Sequence, residues 1–251
     1  MRDVHKKDFL MTEAKNAGGA LEVFALDVTN TASIANVVKV IATNHGYLDA
    51  VVNNAGYGMG GFFEDLTDEE IRQQMEVNFF GVQNVTRAVI PLMRSRRKGR
   101  IINISSIAGL NASPCFGAYN ASKWALEGFS ESLYHELRLF DIHVCMIEPG
   151  TYRTKIFFEN AKYAKNFDNP NSPYFSMSSH LKKMVLNYVK KTDKDPKRIA
   201  FLVEKLLNQR NPPLRNFPDA ETKFLLAMRR ILPFKTYSGI MQRAMYQDRI
   251  I

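Results

Sequence analysis

Apolar positions along residues 1–150 switch repeatedly between a helical spacing of three or four and short apolar-rich runs, the signature of helices alternating with buried strands. A helical stretch over residues 7–17 stops at Gly18 and Gly19, and residues 21–26 read as a strand. Asn30 or Thr31 can cap a second helix, whose Ile34, Val37, Val38 and Ile41 keep the helical period until Gly46, and residues 49–53 supply the next strand. Thr67 with Glu70 three residues later forms a capping-box signature. It opens a long helical region that ends in the basic residues 94–98, with Pro91 expected to kink or divide it. Residues 100–105, with Ile101, Ile102 and Ile104, read as a strand covered on both faces. A helix from Tyr119 to about Leu139 and a strand over 142–147 come next, closed by Glu148-Pro149-Gly150. Beyond residue 150 the pattern loosens. Helices start near Ser178 and Pro196, residues 212–217 offer a short last strand, and two basic amphipathic helices come last. This order predicts an α/β fold with a doubly wound, Rossmann-like parallel sheet.

A length of 251 residues suits one such domain. No apolar run approaches the roughly 18 residues that cross a bilayer, and no apolar signal core follows Met1, so a cytoplasmic protein is expected. Cys115 and Cys145 lack any metal or redox spacing and read as reduced thiols, and the five histidines form no ligand constellation, so no metal is expected. The net charge of +9 is uneven: residues 1–150 are slightly acidic and residues 151–251 strongly basic. A basic block of this kind can meet nucleic acid, an anionic membrane surface or an acidic substrate, or can simply be a solvated face. No nucleic-acid-binding motif accompanies it, and no nucleic-acid partner is expected.

Gly56, Gly58 and Gly61 match the spacing of a dinucleotide fingerprint after a strand. In that fingerprint the glycine turn runs straight into a helix whose amides hold the pyrophosphate, whereas here Phe62, Phe63, Glu64, Asp65 and Leu66 intervene and two of them would repel a phosphate. The glycines instead predict a permissive loop near a substrate mouth, lined by Met59, Phe62 and Phe63.

Five features then occur in order: Asn53-Asn54-Ala55-Gly56 after a strand, Asn78 in a helix, Ser106 at a strand end, Tyr119-x-x-x-Lys123, and Pro149-Gly150-x-x-x-Thr154. In this combination the chain resembles a short-chain dehydrogenase/reductase, and residues 119–128 resemble the steroid- and retinol-dehydrogenase branch. The resemblance implies Ser106, Tyr119, Lys123 and Asn78 as the catalytic set, an apolar alcohol or carbonyl substrate, and a homodimer or homotetramer. It places Asp27 and Val28 beside the adenine, Asn53, Asn54, Ala55 and Gly56 beside the adenosine ribose, and Pro149, Gly150, Tyr152 and Thr154 over the nicotinamide. Lys123 would hold the nicotinamide ribose, and Asn78 a water linking Lys123 to solvent. Arg2 falls where relatives preferring NADP(H) carry a basic residue that can pair with the 2′-phosphate, which favours NADP(H) over NAD(H). Arg2 can equally be a frayed terminal residue.

The chemistry is consistent with the residues themselves. Tyrosine and lysine four apart share a helix face, and an ammonium beside a phenol favours the phenolate, so Lys123 is expected to pull Tyr119 down from about 10 towards neutrality. Tyr119 then exchanges a proton with the substrate oxygen while Ser106 hydrogen-bonds that oxygen. Residues 155–190, with Phe157, Phe158, Tyr163, Phe167, Tyr174 and Phe175, are expected to form either a substrate lid or plain core. The family begins with a strand, a glycine-rich turn, a helix and a second strand, of which residues 1–27 show only the end. Either the front of the unit is cut away, or the chain is a degenerate relative acting as a binding or scaffold protein. Peripheral membrane association through the C-terminal helices, around Phe224, Leu225, Met228 and Ile231, is a third reading.

Overall fold

The computed structural model describes residues 7–158 and 160–246. Its strands are β1 (Ala50–Asn53), β2 (Met59–Gly60), β3 (Gly99–Ile104), β4 (Ile142–Ile147), β5 (Lys162–Tyr163) and β6 (Arg215–Asn216). Four of them make a parallel sheet in the order β1-β3-β4-β6, and β2 pairs with β5 apart from it. The helices are α1 (Lys7–Asn16), α2 (Thr31–His45), α3 (Asp68–Met75), α4 (Gly81–Arg96), α5 (Gly117–Leu137), α6 (Phe175–Lys191), α7 (Lys197–Asn208), α8 (Ala220–Ile231) and α9 (Phe234–Tyr246).

Strand register explains why apolar residues stand at consecutive positions of β3 and β4. Val51, Ile101 and Val144 lie side by side and pack on Ile34 of α2, Val85, Val89 and Met93 of α4, and Leu133 and Leu137 of α5. The next residues along β3 and β4, Ile102 and Cys145, point to the other face, where with Ile147 they meet Ile199, Leu202, Val203 and Leu206 of α7. Successive strand residues face opposite ways, so helices on both faces favour apolar residues at consecutive positions; Asn103 is a polar exception, buried and hydrogen-bonded to Asn53 and Ser130. This is the doubly wound arrangement. The expected caps form: the Asn30 side chain accepts the Ser33 amide, Gly46 closes α2 at φ 75°, and Thr67 and Glu70 bond reciprocally at the start of α3.

Two expectations are corrected. Residues 21–26 form no strand, because β1 is the edge of the sheet and no described strand lies beyond it to supply a ladder partner. The segment is held by side chains instead: Leu26 and Val28 pack on the α2 and α4 cluster, with Val28 so close to Gly81 that any Cβ there would stand 2.7 Å from it. Pro91 does not divide the long helix, since α4 runs through it uninterrupted. The irregularity is a π turn at Glu76–Phe80, between α3 and α4, and it carries Asn78. No helix among the described residues is long and apolar enough to cross a membrane.

Candidate active site

Parallel β1, β3 and β4 deliver three loops to one end of the sheet, where a doubly wound fold opens its crevice. Ser106 leaves β3 and caps the turn Ile107–Gly109, its hydroxyl accepting the Ala108 amide at 3.1 Å. The Ile107 amide donates to the Pro149 carbonyl at 2.9 Å, fastening this loop to the one after β4. Helix α5 carries Tyr119 and Lys123 one turn apart. Ser106 is hydrogen-bonded to the Tyr119 phenol, and the buried Lys123 ammonium donates to the Ile104 carbonyl at 2.8 Å, 5.9 Å from the Tyr119 ring centroid. The loop approaches α5 this closely because Gly109 has no side chain: a Cβ there would meet Glu127 Cγ at 2.8 Å and the Lys123 carbonyl at 3.0 Å. Gly109→Ala should therefore cost about 1–3 kcal/mol in urea unfolding and lower turnover as well. An unchanged unfolding midpoint would show that the loop can yield.

The expected lowering of Tyr119 is reversed. Burial raises the phenol above its ordinary value, only partly offset by Ser106, and burial pushes Lys123 down to about 8, against the opposing charge of Glu127. The physical reason is that desolvation acts on both groups, while the ammonium is turned to Ile104.

Asn78 is buried in the π turn. Its amide donates to the Tyr57 carbonyl (3.0 Å) and Ser122 Oγ (3.1 Å) and accepts from the Tyr57 amide (3.1 Å), tying the loop after β1 to α5. Ser122, which the sequence reasoning passed over, in turn donates to the Tyr119 carbonyl. Asn53 is buried too, its amide donating to Asn103 (2.8 Å) and Thr86 (3.2 Å), so its side chain braces sheet against helix. Asn54, Ala55 and Gly56 are exposed at the crevice. Asp27 accepts from both the amide and hydroxyl of Thr29, and Val28 packs on Gly81. Beyond β4, Pro149 joins the Ser106 loop and Gly150 lies against Thr222 of α8. Tyr152 is buried with its hydroxyl donating to Asp219 at 3.2 Å, and Thr154 precedes the turn Lys155–Phe157. Arg2 lies outside the described residues.

A mostly apolar pocket of about 70 Å³ adjoins Tyr119, lined among others by Gly58, Gly60, Phe157, Tyr163, Phe167 and Leu181. The glycine loop is thus at the pocket, followed by a single 3-10 turn at Phe63–Asp65, and no α-helix begins before α3 at Asp68. Its neighbours differ from expectation: Met59 is buried elsewhere, Phe62 stacks on Tyr174 and Phe63 projects into solvent, none of them lining the pocket. Of the expected lid aromatics Phe157, Tyr163 and Phe167 line it, whereas Phe158, Tyr174 and Phe175 do not. The Cys115 thiol also lines it, but burial pushes it up to about 12, leaving no thiolate near neutrality.

Behind Lys123 lies a cluster absent from the sequence reading. Glu127, one turn further along α5, accepts from Ser105 and pairs with Arg215 of β6. Arg215 also reaches Glu131 (2.8 Å) and the fully buried Glu148 (3.4 Å). Burial, then the charge of Glu127, pushes Glu148 up to about 8. The spacing of Lys123 and Glu127 was visible, but their link to Arg215 spans 88 residues and depends on the β4–β6 pairing.

Residues 2–164 match the family model for short chain dehydrogenases. The chain belongs to the short-chain dehydrogenase family. Among relatives in that family, a 3-ketodihydrosphingosine reductase of Bacteroides thetaiotaomicron is 38% identical over 200 residues, covering 78% of this chain and 72% of its own. Retinol dehydrogenase 8 of Bos taurus is 32% identical over 238 residues, covering 93% and 75%. A solved short-chain dehydrogenase from Streptomyces avermitilis superposes with a TM-score of 0.80 at 29% identity, covering 97% of this chain and 85% of its own. A metagenomic short-chain oxidoreductase solved in complex with NADP is 37% identical, covering 60% and 69%, with a TM-score of 0.57. As a short-chain dehydrogenase the chain is an oxidoreductase with the nucleotide-binding Rossmann-like fold of that family.

Proposed function

We propose that this chain transfers a hydride between NADP(H) and an apolar alcohol or ketone. The observation that carries the reading is the Tyr119 phenol hydrogen-bonded to Ser106 beside a mostly apolar pocket that Tyr119 itself lines. In reduction Tyr119 gives its proton to the substrate oxygen, and in oxidation it takes the proton back. Ser106 donates a hydrogen bond to the same oxygen and steadies its developing charge. The buried Lys123 presents an ammonium one turn from the phenol, and Asn78 holds the Tyr57 loop against α5 so that crevice and pocket share a wall.

The residues present fit the dinucleotide at the crevice. Asn54, Ala55 and Gly56 are exposed at the carboxyl end of an edge strand, next to the strand that leads into the Ser106 loop, which is itself fastened to the Pro149 loop. A Cβ on Gly56 would come within 3.1 Å of Asn78, so the loop lies close to its support and leaves its outer side open. No glycine-rich turn from a strand into a helix occurs among the described residues. Lys123, with Pro149, Gly150 and Thr154, would hold the nicotinamide side, and Asp27 and Val28 the adenine side. When bound, the nicotinamide supplies or accepts the hydride. The preference for NADP(H) rests on Arg2.

Titration of the full chain with NADPH and NADH, following emission from Trp124, tests the reading. Trp124 is the only tryptophan, is half-exposed and directly follows Lys123. Saturable quenching, tighter for NADPH, is expected, with turnover of lipophilic ketones. Tighter binding of NADH would overturn the choice of cofactor. A folded chain that binds neither would favour a non-catalytic binding protein.

A further inference from the structure

Helix α8 buries Thr222 and Leu226 and turns the opposite face to solvent. Lys223, Phe224, Ala227, Arg230 and Ile231 are exposed there, at the three-, four- and seven-residue spacings of one helix face. Phe224 and Ile231 are 63% and 78% exposed and stand two turns apart in line. Lys223 and Arg230 form a second line beside them. The stripe continues into α9 with Phe234, 66% exposed, and the exposed Lys235. The Arg229 guanidinium lies 5.0 Å from the Phe234 ring centroid, joining the two helices at the patch. Leu225 and Met228, by contrast, turn towards the body of the protein and are half-buried.

The charge of this segment is of one sign. From Thr222 to Tyr246 the chain carries Lys223, Arg229, Arg230, Lys235 and Arg243 and no acidic residue. Glu221, the nearest acidic residue before it, is bound by Lys194 and Tyr188. A second copy docking through the same face would set these cations against their own duplicates, because a two-fold interface pairs a patch with itself. An anionic lipid surface fits both lines at once, taking the large apolar side chains among the acyl chains and pairing the cations with headgroups.

We propose that the exposed face of α8 and the start of α9 dock this protein on an anionic lipid surface. The far end of α9 lies beside the pocket wall: Met245 and Tyr246 pack against the cluster of Cys115, Phe167 and Leu181, three residues that line the pocket. Helix α9 therefore links the docked face, at its start, to the pocket wall, roughly 17 Å further along its axis, so that an apolar substrate held in the bilayer lies within a helix length of the pocket. That last link rests on the proposed reaction, whereas docking does not.

The test is co-sedimentation of the full chain with vesicles of phosphatidylcholine alone or mixed with phosphatidylserine. Binding to the mixed vesicles is expected, falling as salt is raised and much weaker on phosphatidylcholine. Lys223→Glu, Arg230→Glu and Lys235→Glu should each weaken it, on the order of fivefold or more per change. Phe224→Ser combined with Ile231→Ser should abolish it. These side chains face solvent, so circular dichroism and the unfolding midpoint serve as folding controls, and the lipid and salt dependence of the unaltered chain tests the proposal without any variant. A folded chain that stays in the supernatant overturns the proposal. So does equal binding to both kinds of vesicle, or binding that the substitutions leave unchanged. Self-association that Ile231→Ser abolishes, without vesicle binding, would assign the face to a second copy instead.

Discussion

Replacing Tyr119 with Phe is expected to lower turnover of an apolar ketone by about 10²- to 10⁴-fold, the range over which a positioned acid or base contributes. The dissociation constant for NADPH should stay within about twofold. The ring is kept, so the packing of the pocket wall and of Gly58, whose Cβ would stand 3.8 Å from that ring, is preserved. Only the hydroxyl shared with Ser106 is removed. Steady-state rates together with the Trp124 titration check both halves. Turnover within a few-fold of the unaltered chain would remove Tyr119 from the chemistry, whatever the cofactor affinity.

The second large effect is on stability. Arg215→Met should destabilise the fold by about 3–5 kcal/mol at pH 8, because Glu127 and Glu148 would be left buried without their shared cation. The deficit should shrink as the pH falls. Glu148 sits at about 8 in the folded chain against an ordinary value of 4.5. Between those values the folded state holds a proton that the unfolded state has released. Stability from this group is therefore greatest at low pH and declines as pH rises through 8. Loss of Arg215 removes an influence that lowers both carboxyls, extending the same trend. Urea unfolding of the two proteins at pH 5.5 and pH 8 measures the difference. Equal midpoints at pH 8 would mean that Arg215 holds nothing the fold depends on.

The same cluster bears on Lys123. Glu127 is its neighbour one turn on, anchors Ser105 next to Ser106, and is itself held by Arg215. Loosening Arg215 therefore acts on the strand end that presents Ser106 and on the helix that presents Tyr119. A loss of activity in Arg215→Met beyond the loss of folded protein is the expected accompaniment.

Much of this was readable along the chain, and the reasons are local. Consecutive apolar residues at 101–102 and 144–147 imply strands covered on both faces, which β3 and β4 are. Asn30, Gly46 and the Thr67–Glu70 pair act through backbone groups within a few residues, so their spacing was enough to place α2 and α3. Tyr119 and Lys123 share a helix face by spacing alone, and the five-feature series carried the family. The acidic Glu64 and Asp65 after the glycine triplet argue against a phosphate role for it, and the structure sets Gly58 and the nearby Gly60 in the pocket wall.

What the chain could not show depends on partners distant in sequence. Residues 21–26 have the composition of a strand, yet a strand exists only with a neighbour to complete its ladder, and the described sheet ends at β1. The direction of the Tyr119 and Lys123 shifts turned on burial, a property of everything packed around them and not of their four-residue spacing. Met59, Phe62 and Phe63 were equivalent apolar residues in a loop until packing sent one inward, stacked one on Tyr174 and left one in solvent. The basic C-terminal helices were legible as amphipathic, but which face was left uncovered was decided by what α8 packs against. The sequence by itself determined the order of elements, their caps and the candidate chemistry, because those arise from contacts within a turn or two. Tertiary structure alone decided the charge cluster on Arg215, the electrostatics of the site and the exposed face of α8, because each depends on groups that only the folded sheet and its covering helices bring together.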